Sequence, residues 1–121
     1  MATVLEEAAK AHPQEACGLL LGRAGRIERA LPAANVHPAP ERHFEIEPRA
    51  LIAAHKAWRA GDEELLGYYH SHPTGHPLPS ATDCEHSGDG RIWAIAAGGA
   101  VHWYRDVGGG FETLPTRLVD G

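Results

Sequence analysis

The stretch Leu65-Leu66-Gly67-Tyr68-Tyr69-His70-Ser71-His72 ends an apolar run with two imidazoles two positions apart. Its aliphatic and aromatic residues favour extended backbone, and Pro73, Pro77 and Pro79 forbid the strand from continuing. Residues at i and i+2 share a face only on a strand, where side chains alternate, whereas a helix would point them apart. His70 and His72 are therefore expected at a strand end, aimed at one point in space. Beyond a Pro/Gly loop, Pro79-Ser80-Ala81-Thr82-Asp83 adds a hydroxyl and a carboxylate. Two imidazole nitrogens and one carboxylate oxygen suit zinc, which in catalytic sites takes three protein ligands and keeps a fourth position for water. The same residues also admit plainer roles. A His-x-His pair serves equally as two polar strand positions, and Ser80-x-x-Asp83 reads as a capping box at a helix start. A second box, Thr82-x-x-Glu85, follows; with Thr82 as the cap, Asp83 is released for a metal.

Taken together, His70-x-His72, Ser80 and Asp83, with Pro79 before the serine, resemble the JAMM motif of the MPN-domain metalloproteases. Pro13 to Gly22 is similar to that family's first strand and the glutamate ahead of it, with Glu15 as the matching residue; spacing alone would not select it from 16 acidic residues. Asn35 and Phe44-Glu45-Ile46-Glu47-Pro48 form a third similar patch, so the likeness runs through nearly the whole chain. The resemblance implies one Zn2+ per chain on His70, His72 and Asp83, with Glu15 as proton shuttle and Ser80 as oxyanion donor. It implies a zinc metallopeptidase that uses activated water to hydrolyse a peptide or isopeptide bond. The expected substrate is the C-terminal tail of a ubiquitin-like or β-grasp sulfur-carrier protein, with Asn35 to Glu47 as a wall of its groove. Two other outcomes compete: a catalytically inactive MPN scaffold and a structural zinc-binding domain. His76 offers a three-histidine alternative to Asp83.

A length of 121 residues fits one domain, 1–121, with one core. The chain is 43% hydrophobic and 22% charged, the balance of an ordered globular protein rather than a disordered one. A formal net charge of -5, with no clustered basic run, argues against nucleic acid as a partner. No apolar stretch is long enough to cross a bilayer, and no basic segment with a hydrophobic core opens the chain, so a cytoplasmic protein is expected. Cys17 and Cys84 match neither a disulfide framework nor a Cys-x-x-Cys zinc site. Both are expected to be small buried hydrophobes, each close to a site residue.

Periodicity predicts a helix over Met1 to Ala11, a hairpin of Ala16 to Leu21 with Arg26 to Leu31, and an irregular loop over 32–41. A half-buried strand follows over Arg42 to Glu47. Next comes a helix from Arg49 to Ala60, with an apolar stripe of Leu51, Ile52, His55, Trp58 and Arg59, closed by Gly61. After the histidine strand come a short helix over Ser80 to Ser87 and three strands, Arg91 to Ala97, Ala100 to Val107 and Phe111 to Val119. Pro115 marks the last as an edge. Trp93, Trp103 and Tyr104 are read as core aromatics. The fold class is α/β: one curved, mixed sheet sandwiched by helices, in the JAMM/MPN and cytidine-deaminase-like layout, with the motif residues at one end of the sheet.

Overall fold

The computed structural model describes residues 2–85, 88–108 and 110–115. In chain order the elements are α1 (Ala2–Ala11), β1 (Cys17–Arg23), β2 (Arg26–Ala33), α2 (Pro48–Arg59), β3 (Glu64–Ser71), α3 (Ala81–Glu85), β4 (Ile92–Ala97), β5 (Ala100–Asp106) and β6 (Phe111–Leu114). The strands form one sheet of order β2-β1-β3-β4-β5-β6. Every neighbouring pair is antiparallel except β3 and β4. A parallel pair cannot be closed by a tight turn, so the chain needs a long crossover between them. That crossover carries the proline loop, Ser80, α3 and Asp83 back across the end of the sheet.

Alternation along β1 sorts the two layers. Leu20 packs with Val4 of α1, Tyr69, Ala94 and Trp103 on one face. Cys17, Leu19 and Leu21 pack with Ala54 of α2, Ile46 and Leu65 on the other. Each fully buried leucine contributes about 1.5–3 kcal/mol by leaving water, which is why β1 reads as continuously apolar. Trp93, Ile95, Ala97 and Tyr104 extend the second layer, with Phe44, Tyr68 and Phe111 packed against them. Gly67 permits the tight approach of β3 to β4, since a Cβ there would fall 1.9 Å from the Ile92 carbonyl oxygen.

Helix α2 starts at Pro48, whose missing N–H costs nothing in a first turn, and Glu47 accepts from Ala50 N at 3.3 Å. It ends in a Schellman motif: Gly61 N donates to Trp58 O at 2.9 Å and Asp62 N to Ala57 O at 3.0 Å, with Gly61 at φ 91°. Its core-facing side is Ala50, Leu51 and Ala54, which shares only Leu51 with the predicted stripe. Ile52 and Trp58 are 53% and 39% exposed, so Leu51 alone of that stripe packs on the sheet, and His55 stacks on Trp58 at its rim. The predicted strand over Arg42 to Glu47 is also absent. An isolated bridge joins Asn35 to Ile46, and the Glu45 amide is taken by the Asn35 side chain instead of a ladder partner. The edge strand β6 stops at Leu114, just before Pro115; the remainder of the predicted span, like 86–87 of the predicted short helix, lies outside the described residues.

Candidate active site

The histidines stand where β3 leaves the sheet. His70 lies between Cys17 of β1 and Ile95 of β4, and the next amides continue the grip, Ser71 N to Ala16 O at 3.0 Å and His72 N to Ala96 O at 2.9 Å. His70 is fully buried, its ring stacked on Phe44 at 4.4 Å and met edge-on by Trp93 at 5.5 Å. His72 Nδ1 is 2.8 Å from the His76 carbonyl oxygen. A carbonyl can only accept, so Nδ1 carries the hydrogen and Nε2 of the neutral ring presents a lone pair to the site. His76 thus serves through its main chain, and its side chain is exposed. The loop is tied down again by Tyr104, whose hydroxyl donates to Pro77 O at 2.6 Å.

Ser80, not Thr82, caps α3. Its Oγ accepts from Asp83 N at 3.0 Å, and Asp83 Oδ2 accepts from Ser80 N at 2.8 Å, a reciprocal capping box. The sequence posed capping and ligation as alternatives for Asp83; in the structure the Oδ2 that closes the box also lies 3.2 Å from Nε2 of His70 and of His72, so capping does not take it away from the histidines. Closing the box turns the carboxylate back over the start of α3, which faces the end of β3. Because Oγ accepts from the backbone, the Ser80 hydroxyl hydrogen stays available to a substrate.

Glu15 arrives by strand alternation. Cys17 pairs with His70, so residues 15 and 17 project on the side of the sheet that carries His70 and His72. Glu15, His70 and His72 each offer a ligand atom, all within 4.8 Å of one another. Glu15 is 6% exposed, and burial lifts its pKa to about 7, with the nearby His72 pulling it down and Asp83 pushing it up. Burial would likewise raise Asp83, but its hydrogen bonds with His70, His72 and the Ser80 amide outweigh that and hold it well below the usual carboxylate range. Burial pushes His70 down, toward the neutral ring that a cation requires. Cys17 is buried as expected, its thiol raised to about 12 by burial and then by the Glu15 charge, whereas Cys84 is exposed, because Asp83 and not Cys84 takes the inward side of α3's short turn.

All five predicted site residues therefore fall in one cluster. Ser71 was missed. Lying between two histidines, it points to the opposite face, where its Oγ accepts from the buried Ala16 N at 2.7 Å and joins β3 to the residue after Glu15. Period-two alternation was the signal that could have found it.

The cluster has the dimensions of a cation site. His70 Nε2, His72 Nε2 and Asp83 Oδ2 stand 3.0, 3.2 and 3.2 Å apart. A tetrahedral ion with bonds of about 2.0–2.2 Å places its ligands at roughly 3.3 Å or slightly more from one another. With both rings neutral and their Nε2 atoms unprotonated, three acceptors would face one point, an arrangement that a shared positive centre satisfies. Two clefts border the cluster, one at His72 and one at Glu15. One, of about 520 Å³, runs past His72 between α1 and the Pro73–Gly75 and Gly98–Gly99 turns. The other, of about 270 Å³, holds Glu15 with Lys10, Gln14 and Asn35.

Comparison with known proteins agrees with this fold. The model of a family described as prokaryotic homologs of the JAB domain matches residues 1–107. The chain belongs to that family, the JAB/MPN group. It is 36% identical over 95 residues to a desampylase of Haloferax volcanii, across 76% of this chain and 68% of that protein. It is 45% identical over 71 residues to a probable TtuB-protein conjugate cleaving protease of Thermus thermophilus, across 59% of this chain but 47% of the relative. A solution structure of a protein from Desulfitobacterium hafniense superposes with a TM-score of 0.78 at 31% identity, covering 94% of this chain and 84% of the other.

Proposed function

We propose that this protein is a zinc metallopeptidase that hydrolyses the peptide or isopeptide bond at the C-terminal tail of a ubiquitin-like or sulfur-carrier protein. The single observation that carries the proposal is the triangle of His70 Nε2, His72 Nε2 and Asp83 Oδ2 with the buried Glu15 beside it. Support for the substrate comes from the relatives, whose names are desampylase and TtuB-protein conjugate cleaving protease. His70, His72 and Asp83 would hold one Zn2+. When bound, zinc supplies Lewis acidity, which lowers the pKa of water toward neutrality and polarises a carbonyl.

The protein's own groups do the rest. Glu15, poised at a pKa of about 7, accepts a proton from the attacking water and returns it to the departing nitrogen. One carboxyl suffices, and no covalent intermediate on serine or cysteine is needed. Ser80 donates its hydroxyl hydrogen to the oxygen on which negative charge develops, while α3 keeps the hydroxyl oriented. The His76 carbonyl fixes the tautomer of His72, and Phe44 and Trp93 fix the plane of His70. The site sits in the cytoplasm on this reading, where β-grasp carriers are made.

The test is to incubate the zinc-loaded protein with a β-grasp carrier bearing a C-terminal extension and to follow release by mass spectrometry. Release that disappears in Glu15→Gln supports the proposal. No release from any such carrier, with zinc bound at one per chain, favours a structural zinc domain.

A further inference from the structure

Among the described residues the Glu15 carboxylate accepts no hydrogen bond, so its place depends on the main chain that carries it. That main chain is gripped by one loop. Glu15 N donates to Pro40 O at 2.7 Å, and Glu15 O accepts from Asn35 Nδ2 at 3.0 Å. The rest of the Asn35 amide closes the loop on itself. Nδ2 also donates to His43 O at 3.0 Å, with Pro40 O at 3.4 Å, and Oδ1 accepts from His37 N and Glu45 N, each at 3.1 Å. Val36 N to Glu45 O and Glu47 N to Ala34 O complete the ring, at 2.9 and 3.1 Å. Phe44, stacked on His70, belongs to the same ring.

We propose that Asn35 is the positioning residue of Glu15: one side chain closes residues 36–45 into a ring and fastens that ring to the base. The proposal rests on Glu15 being the proton shuttle. The chemistry of the amide is specific to it. Three carbonyl oxygens and two amide hydrogens converge on Asn35, a demand that only a group carrying both a donor nitrogen and an acceptor oxygen can meet. Alanine leaves those groups without partners. Aspartate keeps both amide bonds through Oδ1 but sets its second oxygen against the carbonyls of Glu15 and His43. A misplacement of about 1 Å in a catalytic group can cost on the order of 10²-fold in rate, and a base without side-chain hydrogen bonds has nothing else to restore it.

The experiment uses zinc-loaded full-length protein and a carrier with a C-terminal extension. Asn35→Ala and Asn35→Asp are compared with the parent for zinc per chain, thermal midpoint, kcat and KM. The expected result is zinc content and KM within about threefold of the parent and kcat lower by on the order of 10²-fold, with aspartate at least as impaired as alanine. In a Glu15→Gln background, Asn35→Ala should lower the residual rate no further, because it acts through the group already lost. Asn35→Gln keeps donor and acceptor one methylene further out; it serves where the smaller variants do not fold, and its kcat should recover part of the loss. A kcat near the parental value, a KM that rises in step with the loss of kcat, or an undiminished effect in the Glu15→Gln background would overturn the proposal. Parental turnover in Glu15→Gln itself would overturn the assignment of the base, and the coupling with it.

Discussion

His70, His72 and Asp83 are aimed by short-range devices, while Glu15 is brought to them from the other end of the chain. The two histidines need only a strand end and the alternation of its side chains, and Asp83 needs only the capping box that starts α3. Glu15 needs the antiparallel pairing of β1 with β3, the Ser71 hydroxyl on Ala16 N and the loop held by Asn35. The donor cluster should therefore survive damage to the packing around Glu15, and Glu15 can be disabled while the cluster stays intact. The two halves should separate under mutation.

The largest effect is expected from His72→Ala. Loss of one of three donors should abolish stoichiometric zinc binding, read by elemental analysis, and bring carrier cleavage down to the level of chelator-treated parent. Glu15→Gln should instead keep zinc at the parental content while cleavage falls by on the order of 10²–10⁴-fold, the usual span for a general acid–base group. Should both variants lose zinc together, the two halves are one unit and the contrast between them fails. Ser80→Ala comes next. Removing an oxyanion donor costs about 10²–10³ in kcat, and removing a cap about 1 kcal/mol of stability. A large fall in kcat with a small change in denaturation midpoint would separate its chemical role from capping. Smallest in rate should be Ser71→Ala, which leaves the buried Ala16 amide without its partner. Chemical denaturation should show a loss of about 1–3 kcal/mol, with zinc retained and kcat reduced less than in Glu15→Gln.

The contrast also explains what could be read in advance. Periodicity found α1, the β1–β2 hairpin, β3, β4 and β5, because local alternation and turn residues report which face of each is buried. It failed over Arg42 to Glu47, where alternation resembles a strand but the Asn35 side chain has taken the amide that a ladder would use. It found α2 too, but not the face that α2 buries. Ile52 and Trp58 are apolar, yet the sheet is met by the small Ala50 and Ala54 and by Leu51, and small residues send no amphipathic signal. Asp83 was framed as a choice between capping and ligation. One oxygen makes both short contacts, to the Ser80 amide and to His72 Nε2, so the cap does not turn it away from the histidines; spacing cannot express this because it carries no direction.

What the amino-acid order established is local: a strand ending in two imidazoles, a proline loop that stops it, and a serine and aspartate spaced to cap a turn. Its likeness to a known family added Glu15, which no local pattern could select. The meeting of Glu15 with the histidines, its burial and its raised pKa belong to the folded chain, because they arise from strand pairing and desolvation across large separations in sequence. Short-range order follows from backbone preferences that each residue carries alone. A shared site between distant segments exists only once the sheet has assembled and water has left the space between them.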